Sequence, residues 1–266
     1  RRPPRSTLFP YTTLLPISKR TEVLYRGDID IFLMLLIFRQ GFHSLPISEY
    51  DHINNMLKMY KAWICKDSLH FKWPKVMEEN KSTYMRIFID HLSQVFFIEP
   101  QKGAVDQLLD LAFQVIEMFK FISTNFDKTD TETRNDLLLT YLSIIDHIFK
   151  NLNSSDPAKK EFATTLEKSL SMNLFLIWLR AKPDSHADKL WSEFSKSVQR
   201  NFESSLLLCN WRITTLNVTK TMIGLLWKLD PIYLGDHIKY ESENYELKRK
   251  DKDKAKSTKP TRITYQ

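Results

Sequence analysis

The chain has 266 residues, 42% hydrophobic and 12% aromatic, enough to bury one extended core or two small ones, and its 5 glycines leave few positions for hairpin turns or phosphate-cradling loops, which favours helix over sheet. The formal charge of +7 belongs to the ends. Residues 1–20 carry five basic groups and no acidic ones, residues 239–266 carry nine basic and five acidic, and removing that +5 and +4 leaves −2 over residues 21–238, which argues against the clustered basic face that nucleic acid requires.

The chain opens on RRPPRSTLFPYTTLLP, with four prolines and no acid. The prolines oppose the amphipathic helix that a transit peptide needs, and the run resembles translated sequencing-adapter read-through, so residues 1–18 are read as artefactual or disordered. Residues 19–238 are read as one helical-repeat domain and residues 239–266, polar and charge-dense, as a solvated linker that cannot bury enough apolar area to order itself. Ser257 and Thr258 are the candidate phosphorylation positions of that linker.

The stretch DIDIFLMLLIFRQGF, Asp28 to Phe42, holds eight consecutive apolar residues, far short of the ~20 that span a bilayer. Leu and Met outnumber β-branched residues and the apolar positions continue to Phe42 and Leu45 at helical spacing, so residues 28–43 read as a helix buried on most sides, with Asp28 or Asp30 near its N-terminus. Residues 48–64 form one stripe through Ile53, Met56, Leu57, Tyr60 and Ile64, with Ser48 as N-cap. A looser segment holds Trp73-Pro74. Residues 79–97 repeat the pattern until Glu99-Pro100, and residues 101–126 are apolar over a wide arc, from Val105 to Phe119, which predicts burial on two sides.

Residues 130–151 follow, and the stretch Asn153 to Pro157 supplies a stop, a cap and an N1 proline. Helices over residues 159–180, 183–202 and 206–229 complete a set of eight, closed by Asp230-Pro231. Short connections make neighbours antiparallel. Helices apolar over wide arcs and stacked in pairs predict an all-α fold, an α-solenoid of HEAT or armadillo type, with a compact orthogonal bundle as the alternative.

Chemistry is sparse. His43, His52, His70, His91, His147, His186 and His237 form no zinc-type spacing; His91 and His147 fall in apolar helix faces and read as core or boundary histidines. The glycines form no phosphate loop or nucleophile elbow, and Glu78-Glu79 and Asp127/Asp130 read as solvated surface. The expected catalytic, cofactor-binding and metal residues are none. Cys65 and Cys209 read as small buried hydrophobes of a reduced compartment, the cytoplasm. The sequons at Asn80, Asn153 and Asn217 are read as chance matches. Trp178, Trp191, Trp211 and Trp227 read as core, Trp73 as the tryptophan to test for a partner, and LLDLAFQVI (108–116) as core rather than an export signal.

Six segments in order, IFRQGFHSLPISE (37–49) with Tyr60 to Ile64, SQVFFIEP (93–100), LFLIWLRA (174–181) with Lys189 to Trp191, and TLNVTKTM (215–222), resemble the Ral GTPase-activating protein family, a tuberin-related group. The resemblance covers residues 20–238 and points most nearly to the helical region upstream of the GTPase-activating domain in the catalytic alpha subunit; the short loop from Lys66 to Asn80 leaves a divergent relative or the beta subunit open. It implies a noncatalytic scaffold segment, not itself an enzyme, partnered by the regulatory beta subunit and, through a catalytic domain that nothing here matches, by a Ral-type GTPase. None of Asn135, Asn173 and Asn217 takes the family's catalytic-asparagine role. The rival readings are an armadillo-type adaptor unrelated to GTPases and a helical-repeat RNA binder, the latter opposed by the −2 body.

Overall fold

The computed structural model describes residues 28–44, 49–65, 73–125, 129–183 and 188–227. All its regular structure is helical: α1 Asp28–Ser44, α2 Tyr50–Cys65, α3 Lys75–Glu79, α4 Lys81–Ser93, a 3-10 turn Gln94–Phe97, α5 Val105–Thr124, α6 Thr131–Phe149, α7 Pro157–Ala181, α8 Asp188–Arg200 and α9 Ser205–Trp227. Among the described residues there is no strand, and no helix is long and apolar enough to cross a membrane. The expected all-α class therefore holds, with nine described helices where eight were expected. The extra one is α3, a single turn that Pro74 opens and Asn80 closes. Residues 79–97 are not one helix: α4 gives way after Ser93 to the 3-10 turn.

Helix ends follow capping chemistry. Asp130, in extended conformation, accepts the amide of Thr133 and starts α6. Asp156 accepts the amide of Ala158 ahead of Pro157, whose missing N–H costs nothing at the first helical position. The turn into α5 needs a left-handed residue and has Gly103, at φ 86°. Ser48, the expected cap of α2, lies outside the described residues.

The chain divides into two compact units, one ending at Leu207 and one beginning at Leu208. In the first, α2, α5 and α7 pack side by side as one layer and α4, α6 and α8 as a second, with α6 also against α7. Successive helices thus alternate between layers, the arrangement of an α-solenoid, in which each hairpin stacks on its neighbours. Sequence pattern explains the positions. α5, apolar on more than one face from Leu108 to Ile122, sits between its layer-mates α2 and α7 and touches α4, whereas α7, with buried residues from Phe162 to Ala181, packs against α5 and α6. α8 is an edge helix and buries only Leu190, Phe194 and Ser197. α1 packs on α2, α4 and the 3-10 turn.

Polar ties link helices of the first unit where the chain turns. Asp146 of α6 accepts from Ser197 (2.6 Å), from Arg200 through Nε and Nη2, and from Asn201 (2.6 Å) at the end of α8. Ser204 Oγ accepts the amide of Leu207 (3.0 Å), capping α9, and donates to Oε1 of the buried Glu167 (2.7 Å). Ser204→Ala removes both bonds and leaves a buried carboxylate short of a donor. We expect a loss of about 2 kcal/mol, seen as a lower midpoint in urea, with Ser204→Thr retaining most of the stability.

Candidate functional site

The densest chemical grouping is an aromatic cluster around Tyr60, which His91 joins. Tyr60, Trp63 and Phe88 are buried, Phe38 packs at their edge, and Trp63 stacks on Phe88 with ring centroids 5.4 Å apart. The Tyr60 hydroxyl and His91 Nδ1 share a hydrogen bond of 2.7 Å. Burial lowers the His91 pKa to about 4, with Arg39 adding to the effect and Asp90 opposing it; burial raises that of Tyr60. His91 is therefore neutral at physiological pH, a hydrogen-bonded core histidine as its apolar helix face implies. His147 is half-buried against Phe97, centroids 4.7 Å apart, and its pKa is likewise lowered by burial. His52 lies 3.0 Å from Glu49 and His43 is exposed. His70, His186 and His237 lie outside the described residues. Among the described residues no three His, Cys, Asp or Glu side chains could hold a metal together.

Trp73 overturns an expectation. Flanked by Pro74 in the loosest segment, it is the tryptophan to test for a partner contact, yet it is buried. Its Nε1 donates to the Trp63 carbonyl (2.6 Å) and its ring meets Phe88 edge-on at 5.9 Å. A backbone carbonyl at the end of α2 gives the indole a polar partner inside the core, which local sequence does not reveal. Trp178 is core as expected, whereas Trp191 is 37% exposed, resting edge-on against Trp178 at 5.0 Å, because α8 has no further layer-mate within its unit. In the second unit Trp211 is 42% exposed. The Trp227 side chain lies outside the described residues. Cys65 and Cys209 are half-buried rather than buried, and neither forms a disulfide.

Two recesses lie along α2 and α5. A cavity of ≈130 Å³ is walled by Trp63, Trp73, Met85 and Ile122 among others. A wider groove of ≈540 Å³ runs over Phe113, Met118 and Phe121, with Cys65 at its edge. Its polar groups are tied to one another. Asp110 accepts from Tyr50 (2.5 Å), which raises the tyrosine pKa to about 12, and from Gln114 (2.9 Å), while Lys120 pairs with Glu117. Such a groove can hold an apolar side chain; it gathers no convergent acid, base or nucleophile. The segment 108–116 is core, with Leu108, Leu111, Ala112 and Val115 sealed. Of the asparagines, Asn173 donates to the Ser169 carbonyl of its own helix (2.9 Å) and Asn217 has its Oδ1 buried without a hydrogen-bond donor.

The feature that pattern reasoning missed is on α1. Residues 28–43 read as buried on most sides, but only Ile31, Met34, Leu35 and Phe42 are, with Phe38 half-buried. Ile29, Phe32, Leu33, Leu36 and Ile37 stand 74%, 55%, 50%, 43% and 53% exposed. Their spacing of i, i+3, i+4, i+7 and i+8 makes one continuous stripe. Among the described residues the main neighbours of α1 are α2, α4 and the 3-10 turn, and a run apolar on every side cannot say which side finds them.

Residues 104–229 match the family model of the RALGAPB N-terminal domain. The matched region opens at Ala104, the N-cap of α5, and takes in α5 to α9. It supports a RalGAP-related family and does not support the catalytic alpha subunit specifically. Neither a curated protein nor a solved structure matches the chain.

Proposed function

We propose, from the kinship of residues 104–229 with the RALGAPB N-terminal domain, that this chain is a noncatalytic helical scaffold of a Ral-type small-GTPase-activating complex. That match is the observation that carries the reading. The two-layer stack supports it, because α-solenoids work by offering long side-by-side helix surfaces to other chains rather than by closing around a substrate. The beta-type match favours a place on the partner side of the complex, so the subunit that the chain engages is the catalytic, alpha-type one. The small GTPase would then be met by the activating domain of that subunit. The setting we propose is the cytoplasm, in keeping with two cysteines outside any disulfide.

The test is co-expression with an alpha-type catalytic chain. The two are expected to elute as one complex, while the chain alone leaves GTP hydrolysis by Ral at its intrinsic rate. Separate elution would remove the scaffold role, and acceleration by the chain alone would make it an activator in its own right.

A further inference from the structure

The exposed stripe of α1 is built to meet itself. We infer that α1 packs antiparallel against α1 of a second copy of this chain, across a two-fold axis at Leu33. A two-fold interface places one patch against itself, so the patch has to be self-complementary and free of charges that would face their own image. The five stripe residues carry no charge. Their central ridge, Ile29, Leu33 and Ile37, runs at i±4 and reads the same in both directions, so that Ile29 of one copy falls opposite Ile37 of the other and the two Leu33 side chains meet on the axis. Ridges of this spacing interdigitate in the commonest mode of helix packing. Phe32 and Leu36 lie along one flank of the ridge and meet the same flank of the second copy.

The area is sufficient. With side chains of roughly 200 Å² each, the five exposures amount to about 550 Å² per copy and about 1,100 Å² for the pair, at the level where specific association begins. A patch of this size, apolar throughout, is also larger than single exposed apolar residues account for. The pairing is independent of any relation to GTPases.

Sedimentation equilibrium of the full chain tests it. Wild-type protein is expected at twice the 31.6 kDa of the monomer. Leu33→Glu places two carboxylates together on the axis and should weaken the dimer about a hundredfold or more, leaving monomer. Because Leu33 is half exposed in the monomer, the variant is expected to keep the helical circular dichroism of the wild type; Leu33→Ser serves as the second variant should the charge disturb folding. With Cys65→Ser and Cys209→Ser in the background, Leu33→Cys should cross-link to its own copy on oxidation. A monomeric wild type overturns the inference, and so does a dimer that survives both Leu33→Glu and Leu33→Ser.

Discussion

Phe119→Asp is expected to abolish folding of the first unit. Phe119 is fully buried in α5, its ring 6.3 Å from that of Tyr141 on α6. The substitution removes an aromatic side chain whose loss alone costs about 3 to 5 kcal/mol, and it puts a carboxylate where an unpaired charge costs several kcal/mol more. One compensation is in reach: the Tyr141 hydroxyl is buried without a partner and could donate to the new carboxylate. A single charge-assisted bond returns only about 1.5 to 3 kcal/mol, less than either loss. The total approaches the ~5 to 15 kcal/mol by which domains are stable at all. Circular dichroism should show no cooperative melt. Leu142→Asp, on α6 and 4% exposed, should behave alike, whereas Phe113→Asp on the outer face of α5, where the ring is 38% exposed, should melt within a few degrees of wild type. A cooperative, native-like melt for Phe119→Asp would contradict the placement of α5 between its neighbours.

The second large effect is a loss of stability with acid, centred on His91. Its folded-state pKa, about 4, lies below the ~6.5 of an unfolded histidine. The unfolded chain therefore binds the proton first, and the stabilisation is complete above pH ~6.5 and disappears as the pH falls towards 4. At about 1.4 kcal/mol per unit, the fall reaches about 3 kcal/mol. His147, also lowered by burial, adds in the same direction and over the same upper limit. Asp130, lowered overall by its hydrogen bonds to Thr133 and Ser82 and by Arg86 against the opposing effect of burial, contributes only at lower pH, as carboxylates protonate. Urea titrations at pH 7, 5.5 and 4.5 should give midpoints that decrease in that order. His91→Gln keeps an acceptor for Tyr60 but cannot titrate, so its midpoints should fall much less steeply. Equal slopes in the two proteins would assign the acid sensitivity elsewhere.

The matched family region begins at the cap of α5 and leaves α1 to α4 before it. The Tyr60–His91 cluster, the buried Trp73 and the exposed stripe of α1 all belong to that preceding part. They are properties read from the packing of this chain itself, and the two stability experiments probe both regions: Phe119 and Leu142 lie within the matched residues, His91 outside them.

Local chemistry was enough to announce the helices. Asp130 and the Asp156-Pro157 pair are start signals whose geometry depends on two or three neighbouring residues, and they open α6 and α7 where the sequence says. The wide apolar arc in 101–126 announced a helix buried on two sides, since such an arc has no stable solution in water other than a neighbour on each face. The absence of alternating strands and the scarcity of glycine pointed to an all-α class. What the letters could not decide is which neighbour covers which face. Trp73 is interior because the end of α2 presents a carbonyl to its indole, a contact between residues joined by a loop with no periodicity to read. α1, apolar all round, buries Ile31, Leu35 and Phe42 and leaves Ile29, Leu33 and Ile37 in solvent. Hydrophobicity is a property of the side chain, but burial is a property of what stands opposite, and only the layer order of α2, α5 and α7 against α4, α6 and α8 supplies that.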